Sequence, residues 1–172
     1  MVGRLEWGPA DERPDLLADP VAAAIGGVPG AEVAEIDPEL ADTAAFCERY
    51  DVPLDASANC VVVAAKRGGE VTYAACMVLA TGRADVNGVV RKRLGARKAS
   101  FAPMAEATAL TGMEYGGITP VGLPGGWPIL VDEAVAAAPR AVIGSGLRRS
   151  KILLPGKALA DLPGAEVIAL AL

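Results

Sequence analysis

The sequence predicts a single compact α/β domain of the mixed (α+β) kind, spanning residues 1–172, with one curled mixed β-sheet surrounded by helices. Short apolar runs rich in β-forming residues interleave with helical patterns, but strands and helices do not alternate strictly. The chain is 52% hydrophobic with only 4% aromatics, so Ala-rich helices should pack against strands of Val, Ile and Leu. A chain of this length can bury a full core, and no internal repeat divides it.

The N-terminal third is predicted to hold two helices and one strand. Residues 1–13 show no regular pattern and are expected to be loosely ordered. Apolar residues at helical spacing predict a helix over 14–25, which Gly26-Gly27 would end. An alternating strand over 32–36 and a helix over 43–50 complete this part of the chain.

A β-hairpin is the clearest feature of the middle of the chain. Two runs of β-forming residues, 60–65 and 71–80, flank a turn at Gly68-Gly69, and both are predicted as central strands. Asp85 can then cap an amphipathic helix, after which residues 99–101 form a short strand.

The C-terminal part alternates helices and strands, linked by loops rich in glycine and proline. The predicted elements are a helix over 103–111, which Gly112 would end, a strand over 127–131, a helix over 132–139, strands over 141–143 and 152–154, a helix over 157–162 and a strand over 165–170.

The loop after the helix over 103–111 is the most informative segment for function. Within it, Gly116-Gly117 permits positive φ and close approach of another molecule to the main chain, while Pro120 fixes φ and orders the exit. Successive backbone N–H groups there could converge on an anionic or carbonyl oxygen. The sequence therefore predicts a ligand-binding loop, with an ordinary turn between a helix and a strand as the alternative.

Composition excludes several kinds of chemistry. The chain has no histidine, which removes Ser-His and Cys-His pairs, histidine general bases and most catalytic zinc or iron sites. The thiols of Cys47, Cys60 and Cys76 are expected to be buried and reduced. No metal or cofactor is expected, so any chemistry must use backbone N–H groups, carboxylates, lysines, hydroxyls or groups of the substrate.

Charge is distributed unevenly along the chain, although the net charge is only −5. Residues 1–60 carry 13 acids and 3 bases, whereas residues 61–172 carry 8 acids and 13 bases. The clusters Arg91-Lys92-Arg93, Arg97-Lys98 and Arg148-Arg149-Ser150-Lys151 could neutralise phosphates; a solvated helix face and a basic loop are the alternative. No apolar run is long enough to span a membrane and the N-terminus lacks an apolar core, so a cytoplasmic protein without membrane partners is expected.

The order of these segments resembles the YbaK-like prolyl-tRNA-editing domain family, also called aminoacyl-tRNA deacylases. The resemblance is strongest over residues 32–172. It rests on an ordered set of motifs: Tyr50-Asp51-Val52 after a helix, the apolar hairpin, Asp85 before the basic helix, Leu94 to Ala102, Thr111-Gly112, Gly116 to Leu123, Val131-Asp132 and Gly144-Ser145-Gly146.

The resemblance implies a deacylase that hydrolyses the ester of mischarged aminoacyl-tRNA without a metal or covalent intermediate. In such a protein the backbone of Gly116–Pro120 would hold the terminal adenosine and the reacting ester, and a hydroxyl of the substrate would assist attack. The partners would be the acceptor end of aminoacyl-tRNA and, in one reading, an aminoacyl-tRNA synthetase.

The resemblance and the residue chemistry together select three groups of candidate residues. The catalytic candidates are Gly116, Gly117, Pro120 and Asn59. The substrate-binding candidates are Phe101, Ile118, Thr119, Gly144, Ser145 and Lys151. The tRNA-binding candidates are Arg91, Lys92, Arg93, Arg97 and Lys98.

Two positions depart from the family pattern. Asn59 stands where family members carry a lysine that projects into the pocket, and Lys151 stands where some members carry an aspartate. Lys66, in the hairpin turn, is expected to face solvent and not to replace the missing lysine. Three readings stay open at this stage: a deacylase acting in trans, a catalytically silent module that binds aminoacyl-adenosine, tRNA or a synthetase, and a hydrolase of a different ester or amide.

Overall fold

Across residues 2–172, which are those the computed structural model describes, nine strands form two sheets. The strands are β1 (Gly8–Pro9), β2 (Glu32–Glu35), β3 (Ala58–Arg67), β4 (Glu70–Leu79), β5 (Lys98–Phe101), β6 (Ile129–Asp132), β7 (Ala141–Gly144), β8 (Ser150–Leu154) and β9 (Ala165–Ile168). A five-stranded mixed sheet has the order β5-β3-β4-β6-β9, and a four-stranded antiparallel sheet has the order β1-β2-β8-β7.

The mixed α/β class predicted from the sequence is confirmed, but the strands divide between two sheets instead of forming one curled sheet. A single parallel bridge between Ser57 and Val142 joins them among the residues described. The main core lies between the two sheets and combines apolar side chains of both. Ile143 and Ile152 come from the four-stranded sheet, and Met77 and Val131 come from the five-stranded one. Each sheet thus buries an apolar face against the other.

Short helices cover the sheets and connect the strands. The α-helices found within residues 2–172 are α1 (Asp19–Ala24), α2 (Thr43–Tyr50), α3 (Arg91–Arg93), α4 (Met104–Thr111), α5 (Glu133–Ala136) and α6 (Gly156–Ala160). In this part of the chain no helix has the length and apolar character needed to cross a membrane.

Two predicted helices differ from the expectation. The helix expected over 14–25 is broken, with a 3₁₀ turn at Pro14–Leu16 and extended residues before α1, because Pro20 is tolerated only in the first turn of a helix. The helix expected after Asp85 begins as a π-helical turn at Val86–Val90, where the Asp85 carboxylate accepts a hydrogen bond from the Gly88 amide at 3.0 Å.

The N-terminal segment is packed against the domain, which corrects the expectation of a loosely ordered region over residues 1–13. Leu5 and Ala10 are buried, and the Arg4 amide donates to the Tyr50 carbonyl at 2.6 Å. The segment also pairs with β2 as an edge strand. Its order therefore comes from contacts with α2 and β2, which lie far along the chain; Met1 lies outside the described residues.

Candidate active site

A cavity of about 370 Å³ opens between the two sheets. One side is formed by the start of β3 and the end of β5, and the opposite side by β7 and β8. The residues before α2 and the loop over 115–118, here called the glycine loop, close the remaining sides. The cavity is therefore bounded by segments that lie far apart in the sequence, and polar groups meet apolar walls within it.

The glycine loop packs main chain against main chain. Gly116 has a φ of 89°, which strains any other residue. A Cβ on Gly117 would lie 2.8 Å from the carbonyl group of Leu147, and a Cβ on Gly144 would collide with the Gly117 carbonyl oxygen. The Gly146 amide donates to that same oxygen at 2.7 Å. Glycine at these positions thus lets the loop lie directly on the turn between β7 and β8.

Arg148 fastens the glycine loop to the start of α2. Its Nη1 donates to the Tyr115 carbonyl at 3.2 Å and lies 3.4 Å from Asp42 Oδ1, while its amide donates to Glu114 Oε1 at 2.7 Å. A Cβ on Gly116 would collide with this guanidinium. Asp42 and Tyr115 were not predicted as part of the site, and Arg148 was predicted only within a phosphate-binding cluster, because only the fold brings these residues together.

Asn59, near the start of β3, lines the cavity and is half-buried. The Thr43 hydroxyl donates to Asn59 Oδ1 at 2.6 Å, which ties the amide to the first turn of α2. With its oxygen engaged in this way, Asn59 keeps two N–H donors for a ligand. Asn59 therefore supplies an oriented neutral donor to the cavity.

Lys151 brings a positive charge to the opposite wall. Lys151 is only 8% exposed. Its Nζ donates to the Ala41 carbonyl at 2.8 Å and lies 5.1 Å from the centroid of the Phe46 ring. The pKa of the ammonium is lowered from 10.5 to about 8; burial is the main cause and Arg148 adds to it, while Cys47 and Asp42 oppose the shift. Near neutral pH Lys151 is therefore a largely protonated but poorly solvated cation.

The cysteine thiols are not activated. Cys47 and Cys76 are buried, and Cys60 is half-buried on the cavity wall. Burial raises the pKa of the Cys76 thiol to about 12 and also raises that of the Cys60 thiol. Since the thiolate is the nucleophilic form, Cys60 contributes an apolar surface to the cavity and not a nucleophile.

Six of the predicted site residues meet at the cavity. They are Asn59, Phe101, Gly116, Ile118, Gly144 and Lys151.

The other four catalytic and substrate-binding candidates do not line this cavity. Ser145 is fully buried; its hydroxyl pairs with the Ser150 hydroxyl at 2.6 Å and accepts a hydrogen bond from the Leu147 amide, so it is engaged within the turn before β8. Thr119 is also fully buried, and its hydroxyl has no partner within residues 2–172. Gly117 donates its amide to the Glu114 carbonyl, and Pro120 lines a second, apolar cavity on the other side of the loop.

Cationic side chains gather where the turn end of β3 meets β5 and the residues before it. This basic surface consists of the half-buried Arg91 and the exposed Lys66, Arg67, Lys92, Arg97 and Lys98. Lys66 lies directly opposite Lys98 in the pairing of β3 with β5, and like charges so placed repel. Arg93 was predicted as a member, but its guanidinium pairs with the Glu166 carboxylate through two hydrogen bonds and is thus engaged within the protein.

Two aromatic side chains stand at the mouth of the cavity. Phe101 is 62% exposed and Tyr115 is 56% exposed, and both line the opening. The sequence contains seven aromatic residues, and within residues 2–172 these two are the exposed ones. Exposed aromatic rings are therefore confined to the entrance of this cavity.

The two-sheet fold, with glycine-loop main chain and the side chains of Asn59 and Lys151 around one cavity, defines a mixed α/β domain with a candidate ligand site. The particular family follows from the sequence: the model of the aminoacyl-tRNA editing domain matches residues 37–162, and the chain belongs to that family. This confirms the family predicted from the order of the motifs.

Solved structures of low sequence identity share the fold. A candidate trans-editing enzyme for prolyl tRNA synthetase superposes with a TM-score of 0.77 at 22% identity, over 90% of this chain and 96% of that one. A protein described only as hypothetical superposes with a TM-score of 0.79 at 18% identity, over 90% of this chain and 100% of the other. No curated protein sequence matches the chain.

Proposed function

We propose that the protein hydrolyses the ester bond of mischarged aminoacyl-tRNA, acting in trans and without a metal. The observation that carries the proposal is the cavity of an editing domain in which glycine-loop main chain, the Asn59 amide and the Lys151 ammonium face one space. An aminoacyl ester is already labile, so a water held in position and a few aligned dipoles suffice for catalysis. The chain has no histidine, and residues 2–172 contain no cluster of three metal-ligating side chains.

The entrance suits the unpaired 3′ end of a tRNA. Bases of single-stranded RNA stack on exposed aromatic rings, and Phe101 and Tyr115 offer two such rings at the mouth. Lys98 lies on the same strand as Phe101, about 10 Å away at the usual rise of a strand. The basic surface would therefore hold backbone phosphates while the terminal nucleotides enter the cavity.

Inside the cavity the charges would orient the aminoacyl group. Val61, Val62 and Ile118 supply apolar contacts for its side chain. The Asp42 carboxylate at the rim can accept hydrogen bonds from the α-ammonium, which Lys151 repels. The ester would then lie beside the glycine loop, next to Lys151 on the wall formed by β7 and β8.

Deacylation of a panel of mischarged tRNAs tests the proposal, with alanyl- and cysteinyl-tRNA for proline among them. We expect the wild-type protein to cleave at least one ester faster than spontaneous hydrolysis. Gly116→Ala should lose most of this activity, because its φ of 89° strains an alanine and the added Cβ meets Arg148. Gly125→Ala is the matched control, since a Cβ there meets nothing within 4 Å. A panel without any cleaved ester would contradict the proposal.

The second candidate function is a catalytically silent module that binds aminoacyl-adenosine, tRNA or a synthetase. Asn59 favours it, because a neutral amide stands where the family pattern has a lysine. If the wild-type protein is inactive and Asn59→Lys creates activity, the natural chain is a binder. If the wild-type protein is active and Asn59→Ala is not, the amide belongs to the catalytic site.

A further inference from the structure

Lys151 is a charge that the fold does not require. It is the one charged residue of β8, and every residue of that strand is buried. Its cross-strand neighbours are Ala34 on β2 and Gly144 on β7, both uncharged. Burying a lysine disfavours its charged form, so an apolar side chain would serve the strand better. A cation kept at such a position on a cavity wall points to a role in the cavity.

The ammonium is held in place on the side of the cavity that faces the glycine loop. One N–H donates to the Ala41 carbonyl, and the ring of Phe46 lies below the charge. An ammonium has three donors, so it keeps capacity for a ligand oxygen. Gly144, directly across from Lys151, packs on the Gly117–Ile118 peptide. The cation and the loop therefore border the same space.

We propose that Lys151 is a catalytic residue whose ammonium donates a hydrogen bond to the carbonyl oxygen of the aminoacyl ester as negative charge develops there. This inference rests on the proposed deacylase function. A water oxygen attacks the carbonyl carbon, and the electron pair of the C=O bond moves to the oxygen facing Lys151. When the intermediate collapses, the bond to the ribose oxygen breaks and that oxygen takes the proton released by water. Lys151 keeps its own proton throughout.

The surroundings of Lys151 favour an ester oxygen over a phosphate as its ligand. Val142 and Ile143 line the same wall, and a phosphate seated among such side chains would lose its hydration without sufficient compensation. An ester enters an apolar cavity at little cost and becomes charged only in the transition state. A poorly solvated donor such as Lys151 interacts more strongly with the charged transition state than with the neutral ester, so it lowers the barrier.

Burial and the neighbouring charged groups together set the pKa of Lys151 at about 8. Burial lowers the pKa of Lys151 most and Arg148 lowers it as well, whereas Cys47 and Asp42 raise it. Burial raises the pKa of the Cys47 thiol, which stays neutral in this range. The protonated fraction of Lys151 therefore falls as the pH rises above about 8.

The test compares wild type, Lys151→Met and Lys157→Met in single-turnover deacylation of the mischarged tRNA that wild type cleaves fastest. Methionine keeps the length of the side chain and removes the charge; Lys157 is an exposed lysine on α6 and serves as the control. We expect the rate constant of Lys151→Met to fall by about 100-fold or more, the loss typical of an oxyanion donor. Its Kd should change by less than about threefold and its Tm should not fall. Lys157→Met should match wild type.

A second measurement needs no variant. The ratio of the enzymatic to the spontaneous rate for wild type should decline by about tenfold per pH unit above pH 8, since only protonated Lys151 donates. A ratio that stays flat from pH 7 to pH 9 overturns the inference, even if Lys151→Met fails to fold. A Lys151→Met protein with the wild-type rate, or with a weakened Kd alone, overturns it as well. In each of these three cases wild type remains active, whereas an inactive wild type refutes the proposed function itself.

Discussion

Replacing Lys151 by methionine should change how the free energy of unfolding depends on pH. The pKa of Lys151 is about 8 in the folded protein, against 10.5 for an unperturbed lysine. Between these values the unfolded chain binds more protons than the folded one, so the free energy of unfolding rises with pH. Below the folded pKa the full cost of burying the charged form is present, and it disappears as the pH approaches 10.5.

The gap of about 2.5 pKa units corresponds to about 3 kcal/mol, at 1.36 kcal/mol per unit. Lys151 is 8% exposed, so solvent screening removes little of this value. We therefore expect the wild-type free energy of unfolding, minus that of Lys151→Met, to rise by about 3 kcal/mol between pH 7.5 and pH 10.5. Below pH 7 the difference should be constant.

Urea denaturation at several pH values measures this difference. Both proteins should carry Cys47→Ala, because the Cys47 thiol interacts with Lys151 and titrates at higher pH than a free thiol. The shared background cancels its contribution when the two curves are subtracted. Parallel curves for the two proteins would mean that the Lys151 ammonium is as well solvated in the folded state as in the unfolded chain, which would refute the reasoning.

Three more expectations concern the aromatic rings at the entrance, the basic surface and the contacts of Arg148 with the glycine loop. Phe101→Ala and Tyr115→Ala should each weaken binding of uncharged tRNA by about 5- to 150-fold, as lost base stacking of 1–3 kcal/mol requires, and unchanged affinity in a filter-binding assay would remove the rings from the interface. Lys98→Gln should reduce the slope of log affinity against log salt by about 0.7 to 0.9, with Lys157→Gln as the control; an unchanged slope would mean that Lys98 contacts no phosphate. Arg148→Met should slow deacylation by about tenfold with a Tm shift of only a few degrees, because it loosens the glycine loop through an exposed ion pair, and a wild-type rate would contradict its positioning role.

Features set by neighbouring residues were predictable from the sequence. The hairpin turn was expected at Gly68-Gly69, and both glycines have positive φ values, 57° and 83°, between β3 and β4. Gly112 was expected to end the helix over 103–111, and it does so with a φ of 70°. Each of these signals depends on the backbone freedom of one or two residues, which the sequence states directly.

The candidate site was only partly predictable, because its decisive contacts join distant segments. Arg148 and Asp42 are 106 residues apart, and Lys151 and Ala41 are 110 residues apart. The run of charges over 148–151 suggested one phosphate-binding cluster. In the fold its members diverge, since Arg148 turns to the glycine loop, Arg149 donates to the Asp15 carbonyl and Lys151 enters the cavity.

The contact between the glycine loop and the turn before β8 also limits how this scaffold can diversify. Gly117, Gly144 and Leu147 meet through main-chain atoms, with no side chain between them. Substitutions can therefore not change the distance between these segments gradually. Glycine permits the contact, and any larger residue at Gly117 or Gly144 breaks it. The walls contributed by β3 and β8 have no such restriction. Ligand preference can thus change through substitutions such as those at Asn59 and Lys151, while the contact between the glycine loop and the turn before β8 stays the same.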